Sequence, residues 1–360
     1  MIRVGLVGFG MGGRVFHAPV LSSVDGLELA AVVERHSDRA AERYPGIATH
    51  RSLEAMLEDR TLGLLTIVTS NGSHFELAKQ ALEAGKNVVV DKPMALTSND
   101  VATLLRLAAA KNVLLAPFHN CRWDSDFLTV VKLLREDPLG RLVHFESNMD
   151  RWRPLTRAVW KEDPALGGGL LQDLGTHLVD QALVLFGKPQ SVQAEVRRER
   201  DGEGTDDAFW LRLRYPGLLV DLNSNRLSTL PRPRFHLRGT KGNFSKSGID
   251  PQEAALNKIT RIDDSAWGTV PTAESGTLCV DEGGVLVSRS VPTMRGDYRL
   301  YYQGVRDALI GGTPPPVTAL DAWRVARVLE WATESSEKRY EISCDWTEES
   351  KLERPVEAAD

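Results

Sequence analysis

Short apolar runs alternate with longer amphipathic stretches through the first 120 residues of the chain. The apolar runs predict strands at residues 3–7, 27–33, 64–68, 87–90 and 114–118, and the stretches between them predict helices at 13–24, 37–44, 73–84 and 98–110. Strands that alternate with helices form a parallel sheet with helices on both faces. The strand segments are almost continuously apolar, as expected where both faces of a sheet are covered.

The pattern changes after residue 120. Helices are predicted at 125–135, 168–186, 298–310 and 319–340, and strands at 141–150, 191–198, 208–215, 219–227 and 234–238. Strands that follow one another without helices favour an open, mostly antiparallel sheet. Residues 248–284 show weak periodicity and predict no element. The pattern divides the chain into an α/β domain over 1–120, an α+β domain over 121–345 and a charged tail over 346–360 that we expect to fray.

Composition narrows the classes of function. The chain has 360 residues with 44 basic and 49 acidic side chains, so its formal charge is −5. This balance argues against a nucleic-acid partner, and no apolar run is long enough to predict a membrane span. The three cysteines lie far apart in no metal-ligand spacing. They predict a reducing, cytoplasmic compartment, no disulfide framework and no metal site.

A glycine-rich turn follows the first predicted strand and opens a helix, which is the context that the G-x-G-x-x-G motif requires. Gly8 permits the tight turn, Gly10 lets the backbone approach a pyrophosphate, and Gly13 lets the helix pack on the strand. The N–H groups at the helix start bind phosphate oxygens. The first domain is therefore predicted to be a Rossmann domain that binds NAD or NADP. The turn residues predicted to bind the cofactor are Gly8, Phe9, Gly10, Met11, Gly12 and Gly13.

Two neighbouring residues bear on the choice between NAD and NADP. Glu34 ends the second predicted strand, where an acid accepts both ribose hydroxyls and disfavours a 2′-phosphate. This position favours NAD. Arg35 follows directly, and an arginine at this place holds a 2′-phosphate, so NADP stays open.

A lysine follows the predicted strand 87–90, in the tripeptide Asp91-Lys92-Pro93. Ligands of open parallel sheets bind beyond the carboxyl ends of the strands. Lys92 can donate a charge-assisted hydrogen bond to a substrate oxygen and stabilise negative charge that develops there. The alternative is a surface lysine in an ordinary turn.

Asp173 and His177 are four residues apart in a predicted helix, so they share one face. Histidine is the most frequent general acid or base near neutral pH, and the aspartate is predicted to orient its ring. A solvated polar face is one alternative. A metal pair is another, but no second cluster supplies further ligands.

Together these motifs resemble the glucose–fructose oxidoreductase, inositol dehydrogenase and rhizopine-catabolism (Gfo/Idh/MocA) family, from residue 1 to about 340. The resemblance is carried by residues 8–13, 69–71 with His74, 91–93, 167–177 and 314–318. It implies that Lys92, Asp173 and His177 form the active site, and that the open sheet joins subunits into a homodimer or homotetramer. The chain has Asp91 where a glutamate is usual. Further cofactor contacts implied by the resemblance are Ser70, Asn71, His74, Asp91 and Lys92.

Within the family, residues 118–129, 248–253 and 265–268 look most like the scyllo-inositol dehydrogenase branch. The resemblance implies hydride transfer between a nicotinamide and a ring carbon of a cyclic polyol or sugar, with scyllo-inositol and scyllo-inosose as the first candidates. Some members of that branch prefer NADP. Two other functions of the scaffold stay open: a non-catalytic nucleotide sensor and a nicotinamide-assisted glycoside hydrolase.

Several residues near the domain junction are weaker candidates, with core packing as the alternative for each. Asn120 and Arg122 leave the last strand of the first domain. Trp160 and Lys161 stand where related reductases have a Trp-Arg pair at the nicotinamide, although lysine does not replace arginine in planar contacts. Cofactor contacts are predicted for Asn120 and Trp160, and substrate contacts for Lys92, Arg122, Arg153, Asp173, His177 and Tyr298.

Overall fold

A computed structural model describes residues 1–156, 160–202, 204–259, 261–263 and 265–352. The first sheet has six parallel strands in the order β3-β2-β1-β4-β5-β6. These strands are β1 Ile2–Val7, β2 Leu27–Val33, β3 Ala48–His50, β4 Leu64–Ile67, β5 Asn87–Asp91 and β6 Leu115–Phe118. The predicted Rossmann sheet is thus confirmed, and β3 is an addition that the apolar pattern did not show.

The second sheet has nine strands in the order β14-β13-β12-β11-β7-β10-β9-β8-β15. Its strands are β7 Leu142–Asn148, β8 Ser191–Arg197, β9 Ala208–Tyr215, β10 Leu218–Asn225, β11 Phe235–Gly239, β12 Gly242–Lys246, β13 Gly276–Asp281, β14 Leu286–Val291 and β15 Ile342–Ser343. Strands β7 and β10 pair in parallel, and the remaining neighbours are antiparallel. The prediction of a mostly antiparallel sheet is confirmed.

Helices cover the first sheet on both faces and the second sheet on one. The helices are α1 Ala18–Leu21, α2 Arg39–Arg43, α3 Leu53–Leu57, α4 His74–Glu83, α5 Ser98–Lys111, α6 Ser125–Glu136, α7 Thr176–Phe186, α8 Gln252–Leu256, α9 Arg299–Gly311, α10 Ala319–Lys338 and α11 Glu349–Leu352. Two π-helical segments, Gly12–His17 and Leu171–Gly175, lead into α1 and α7. Short 3-10 turns occupy Asn71–Ser73, Asn120–Trp123, Trp160–Glu162, Pro164–Leu166 and Thr272–Glu274. Within the described ranges, no helix combines the length and apolarity needed to cross a bilayer.

Helix α10 packs against both halves of the molecule. Its Trp323 is buried in the apolar cluster around the first sheet, and it also packs against α7 and β8. The Glu330 carboxylate on the same helix accepts hydrogen bonds from the backbone N–H and hydroxyl of Ser98, at the start of α5. Helix α10 thus joins the two halves of the molecule. The second domain faces the carboxyl edge of the first sheet across a cleft.

The tail after residue 345 is ordered over its first seven residues. The Trp346 ring lies 4.8 Å from that of Trp331, and its indole N–H donates to the Pro189 carbonyl. Glu349 opens α11 and pairs with Lys188 at 3.2 Å. The expectation of fraying is therefore wrong for residues 346–352, because an amphipathic pattern inside a charged segment anchors it. Residues 353–360 lie outside the described residues.

Candidate active site

A cleft with a volume of about 1210 Å³ runs between the two domains. One side is formed by the carboxyl ends of β1, β2, β4 and β5, and the other by residues that follow β7 and β10 and precede α7. Ordinary small-molecule pockets hold about 300–1,000 Å³. The cleft is therefore large enough for a dinucleotide together with a second, smaller molecule.

The glycine-rich turn forms one end of this cleft. Gly8 has a φ of +105°, and a Cβ there would lie 2.2 Å from the Val68 carbonyl oxygen. A Cβ on Gly13 would lie 2.1 Å from the Gly8 oxygen, whereas one on Gly10 would meet nothing within 4 Å. The fold thus requires two of the glycines, and the third keeps a space open at the start of the helix. Phe9, Gly10, Met11 and Gly12 line the cleft, as a pyrophosphate site requires.

Glu34 is engaged in bonds within its own loop. Its Oε1 accepts from the Ser37 hydroxyl at 2.5 Å and from Arg39 Nε at 2.9 Å, and its Oε2 accepts from the Ala40 backbone N–H at 3.0 Å. Burial raises the pKa of Glu34, but these hydrogen bonds outweigh burial and lower it. Glu34 is therefore an ionised anchor for α2 that also lines the cleft.

Three arginines line the same end of the cleft: Arg35, Arg39 and Arg51. Arg35 is exposed, and the Arg39 side chain is 57% exposed although it pairs with Glu34. Arg51 donates to the Glu34 carbonyl at 2.9 Å and pairs with Asp38 at 2.8 Å. The region beyond β2 therefore presents cations to a ligand.

The loop after β4 contacts the second domain through Asn71. Ser70 and Asn71 line the cleft, and the Asn71 amide donates to the Gly167 carbonyl at 2.8 Å. His74 is buried behind the wall, and its Nδ1 hydrogen-bonds to the Pro93 carbonyl oxygen at 2.7 Å. His74 thus supports the loop at Pro93, and its cofactor contact stays a prediction.

Asp91 lies at the end of β5 on the cleft wall. Its Oδ1 is 3.7 Å from Nε2 of the fully buried His17, whose Nδ1 hydrogen-bonds to the Tyr302 hydroxyl at 2.6 Å. Burial raises the pKa of Asp91, but His17 and the nearby His74 and Lys92 outweigh burial and lower it. The carboxylate is held ionised directly below the glycine-rich turn.

Lys92 reaches across the cleft from the first domain. Its Nζ donates to the backbone carbonyl of Asp173 and to Oδ1 of the same residue, the latter at 3.0 Å. Asp173 also pairs with Lys161 at 2.8 Å and with Arg226 at 3.3 Å. Burial raises the pKa of Asp173, but the three cations lower it well below its usual value. The Lys92–Pro93 peptide bond is cis.

His177 lines the cleft in the first turn of α7 and is 7% exposed. Burial lowers its pKa well below 6.5, and the charges of Lys92 and His119 lower it further. Its ring is therefore neutral at physiological pH. Among the described residues, no hydrogen bond joins it to Asp173. The four-residue spacing predicted that the carboxylate orients the ring, but the Asp173 carboxylate pairs with Lys92, Lys161 and Arg226 instead.

The weaker candidates divide into wall residues and packing residues. Asn120 and Trp160 line the cleft. Arg122 is not on the cleft wall, because its guanidinium forms a bidentate pair with Asp180 at 2.6 and 2.8 Å. Arg122 is thus an ion-pair partner of Asp180 in this structure, and its substrate contact stays a prediction. Tyr298 lines the cleft, but its hydroxyl donates to Asp124 at 2.8 Å.

Two cleft residues escaped the sequence reasoning. Arg226 contacts Asp173, and Arg200 lines the same part of the wall while it pairs with Asp207 at 2.8 Å. Both follow strands that run toward the domain junction. Their position, a basic residue just beyond such a strand, could have predicted them from the sequence. Arg153, which the sequence did predict, lies beside Arg226 on this wall.

Comparison with known proteins agrees with this architecture. Residues 2–119 match a family model described as "Oxidoreductase family, NAD-binding Rossmann fold", and residues 131–343 match "Oxidoreductase family, C-terminal alpha/beta domain". The chain therefore belongs to the Gfo/Idh/MocA family of oxidoreductases, with an NAD(P)-binding Rossmann domain, as the sequence motifs indicated.

Individual relatives match nearly the whole chain. The uncharacterized oxidoreductase YdgJ of Escherichia coli K12 is 38% identical over 94% of this chain and 97% of its own. IolW of Bacillus subtilis, named scyllo-inositol 2-dehydrogenase (NADP(+)), is 35% identical over 95% of both chains. The solved structure of YvaA from Bacillus subtilis has a TM-score of 0.93 at 34% identity, over 96% of this chain and 98% of its own.

Proposed function

We propose that this chain is an NADP-dependent dehydrogenase that acts on a ring hydroxyl of a cyclic polyol or sugar, the class to which scyllo-inositol belongs. The observation that carries the proposal is the placement of Lys92 and a neutral His177 in the same cleft as the glycine-rich turn. The nicotinamide, when bound, supplies the hydride acceptor or donor.

Two side chains divide the remaining chemistry. In the oxidising direction, His177 takes the proton of the reacting hydroxyl, because a neutral buried imidazole is a competent general base. Lys92 donates a hydrogen bond to the same oxygen and stabilises the negative charge that develops on it. Asp173 acts through Lys92, since its carboxylate holds the ammonium group and not the imidazole. Reduction uses the same groups with the proton returned by His177.

The preference for NADP rests on the region beyond β2. A preference for NAD depends on a Glu34 carboxylate that accepts both ribose hydroxyls, whereas this carboxylate accepts hydrogen bonds from Arg39 and from the Ala40 backbone N–H of α2. Arg35, Arg39 and Arg51 line this end of the cleft. Guanidinium groups bind phosphate bidentately, so the cluster fits a 2′-phosphate. The NADP dependence in the name of IolW is in line with this choice.

The test is a spectrophotometric panel that crosses NAD and NADP with inositols and aldoses, followed by reduced nicotinamide absorbance at about 340 nm. Turnover that is lost in both Lys92→Ala and His177→Ala, with NADP binding retained, supports the proposal. Undiminished turnover in both variants overturns the mechanism. Tight cofactor binding without turnover indicates a sensor, and release of a sugar without net cofactor reduction indicates a hydrolase.

A further inference from the structure

A second lysine lies beside Lys92 in the cleft. Lys161 belongs to the 3-10 turn Trp160–Glu162, and its Nζ donates to Oδ1 of Asp173 at 2.8 Å. The same oxygen accepts from Nζ of Lys92 at 3.0 Å. The two ammonium nitrogens are therefore no farther apart than these two bonds laid end to end, about 5.8 Å. Because both side chains line the cleft, a molecule bound at Lys92 also lies within reach of Lys161.

The glycine run that precedes α7 holds Lys161 in this place. The Lys161 carbonyl accepts from the Gly169 backbone N–H at 2.9 Å. A Cβ on Gly168 would lie 2.5 Å from the same carbonyl oxygen, so a larger residue at 168 would displace Lys161. The Lys161 ammonium group also lies 5.7 Å from the centre of the Trp160 ring, within the range of a cation–π contact. The backbone and the side chain of Lys161 are thus both oriented.

Both ammonium groups keep N–H donors for a bound molecule. An ammonium group has three donors. Within the described ranges, Lys92 uses two of them on Asp173, and Lys161 uses one on the same residue. The Lys161 side chain is 35% exposed and that of Lys92 is 13% exposed, so Lys161 is the more accessible of the two. Lys92 therefore has one donor for the reacting oxygen, and Lys161 has two for a neighbouring group.

We propose that Lys161 is a specificity-determining residue that donates a hydrogen bond to the hydroxyl next to the reacting one, so that the enzyme recognises a vicinal diol. The oxygens of adjacent ring hydroxyls lie about 3 Å apart, close to a hydrogen-bond length, and so match two neighbouring ammonium groups. This inference rests on the proposed dehydrogenase function. It narrows the substrate to a ring with a free hydroxyl on a carbon adjacent to the one that is oxidised.

The experiment compares compounds with and without the adjacent hydroxyl on the NADP-loaded enzyme: glucose with 2-deoxyglucose, and trans-1,2-cyclohexanediol with trans-1,4-cyclohexanediol. The readouts are kcat/KM and, independently of turnover, the Kd from calorimetry. We expect the member with the adjacent hydroxyl to be favoured about tenfold or more in both quantities, as a hydrogen bond from a charged donor provides. Equal values within both pairs, or no binding of any member, overturn the inference.

Three variants locate the effect. We expect Lys161→Met to raise the KM and Kd of glucose about tenfold and to leave those of 2-deoxyglucose unchanged. The kcat for glucose should be retained, because a bond to a hydroxyl that does not react is equally strong in the ground state and the transition state. Lys161→Arg keeps a charged donor and recovers part of the preference. Lys132→Met, at an exposed site on α6 outside the cleft, is the matched control. A Lys161→Met enzyme with wild-type discrimination contradicts the proposal.

Two further measurements on Lys161→Met separate the proposed role from other roles. Weaker NADPH binding with an unchanged preference for glucose would place Lys161 at the cofactor and overturn the inference. A lower Tm with equal losses for every compound would assign Lys161 a purely structural role and also overturn it.

The two proposals fail in different ways. Turnover of both members of each pair at equal efficiency removes the diol site and leaves the dehydrogenase. Selective binding of glucose over 2-deoxyglucose that depends on Lys161, with no turnover of any compound, removes the dehydrogenase and leaves the diol site.

Discussion

Lys92 and Asp173 are 81 positions apart in the chain and meet with 3.0 Å between Nζ and Oδ1. Lys92 follows the last residue of β5 in the first sheet, and Asp173 lies in the π-helical segment that precedes α7. The pair therefore joins the two domains across the cleft. Both side chains are largely buried, so loss of Asp173 removes the carboxylate that pairs with the Lys92 ammonium group, whereas loss of Lys92 leaves Asp173 paired with Lys161 and Arg226.

Lys92→Met is expected to lower kcat by about 10²–10³, the range seen when one donor to a developing oxyanion is removed. NADP binding should be retained, because the glycine-rich turn and not Lys92 holds the pyrophosphate. Steady-state kinetics and fluorescence titration of NADPH separate the two effects. Asp173→Asn serves as the comparison and should lose less, since the Asp173 carbonyl still accepts from Lys92. A Lys92→Met enzyme with wild-type kcat contradicts the assigned role.

The pH dependence of oxidation should reflect the lowered pKa of His177. Burial places this pKa well below 6.5, so the ring is unprotonated, and active as a base, at pH 6.5 and above. The rate of alcohol oxidation is expected to stay flat from neutral pH down to 6.5 and to fall only at lower pH. A pH profile of kcat/KM measures this limb, and His177→Asn should abolish it. A limb centred above pH 7 would show that another group is the base.

Arg35→Gln is expected to lower kcat/KM for NADP about tenfold and to leave the value for NAD unchanged, because only the 2′-phosphate requires the cation. The measurement is the ratio of kcat/KM for the two cofactors. Arg60→Gln, an exposed arginine outside the cleft, is the control. An equal loss with both cofactors would place Arg35 elsewhere than at the 2′ position.

Two glycine variants should separate folding from cofactor binding. Gly13→Ala puts a methyl group 2.1 Å from a backbone oxygen, so it is expected to lower Tm as well as NADP affinity. Gly10→Ala meets no protein atom within 4 Å, so Tm should be unchanged while NADP affinity falls. Thermal unfolding of the cofactor-free protein and NADP titration give both quantities. A Gly10→Ala protein with normal affinity would place the pyrophosphate elsewhere.

Trp346→Ala is expected to destabilise the fold by about 2–3 kcal/mol, since a half-buried tryptophan loses its contacts with Trp331 and Trp323. Urea unfolding measures the change. Unchanged stability of the Trp346→Ala protein would mean that the tail contributes little to the fold.

Much of the fold was predictable from local pattern. Strands β2 and β9 begin and end at the residues that the sequence predicts, because each apolar run is bounded by polar or turn residues. Strand β3 has three residues, too few to show a period. The region 248–284 carries the short α8 and the six-residue β13, which lie too far apart to produce a common periodicity.

The site was predictable in its members and not in their pairing. Position along the chain brought Lys92, Asp173 and His177 to one cleft, but the partner of Asp173 depends on where the π-helical segment turns its carboxylate. The hydrogen bonds of Glu34 to Arg39 and Ala40 could not be predicted, because they depend on side-chain direction, and its ribose contact stays a prediction. Arg226 was not predicted, because its partner Asp173 lies 53 positions away in the chain.

The position of α10 limits which parts of two related chains can be exchanged. The helix is encoded after residue 318, yet Trp323 and its neighbours complete the apolar covering of the sheet formed by the first 118 residues. A Rossmann half transplanted from another member of the family would meet a foreign α10 at this surface. Exchange of cofactor preference between members is therefore expected to succeed by replacing the few residues beyond β2, and to fail when the whole first half is exchanged without its matching helix.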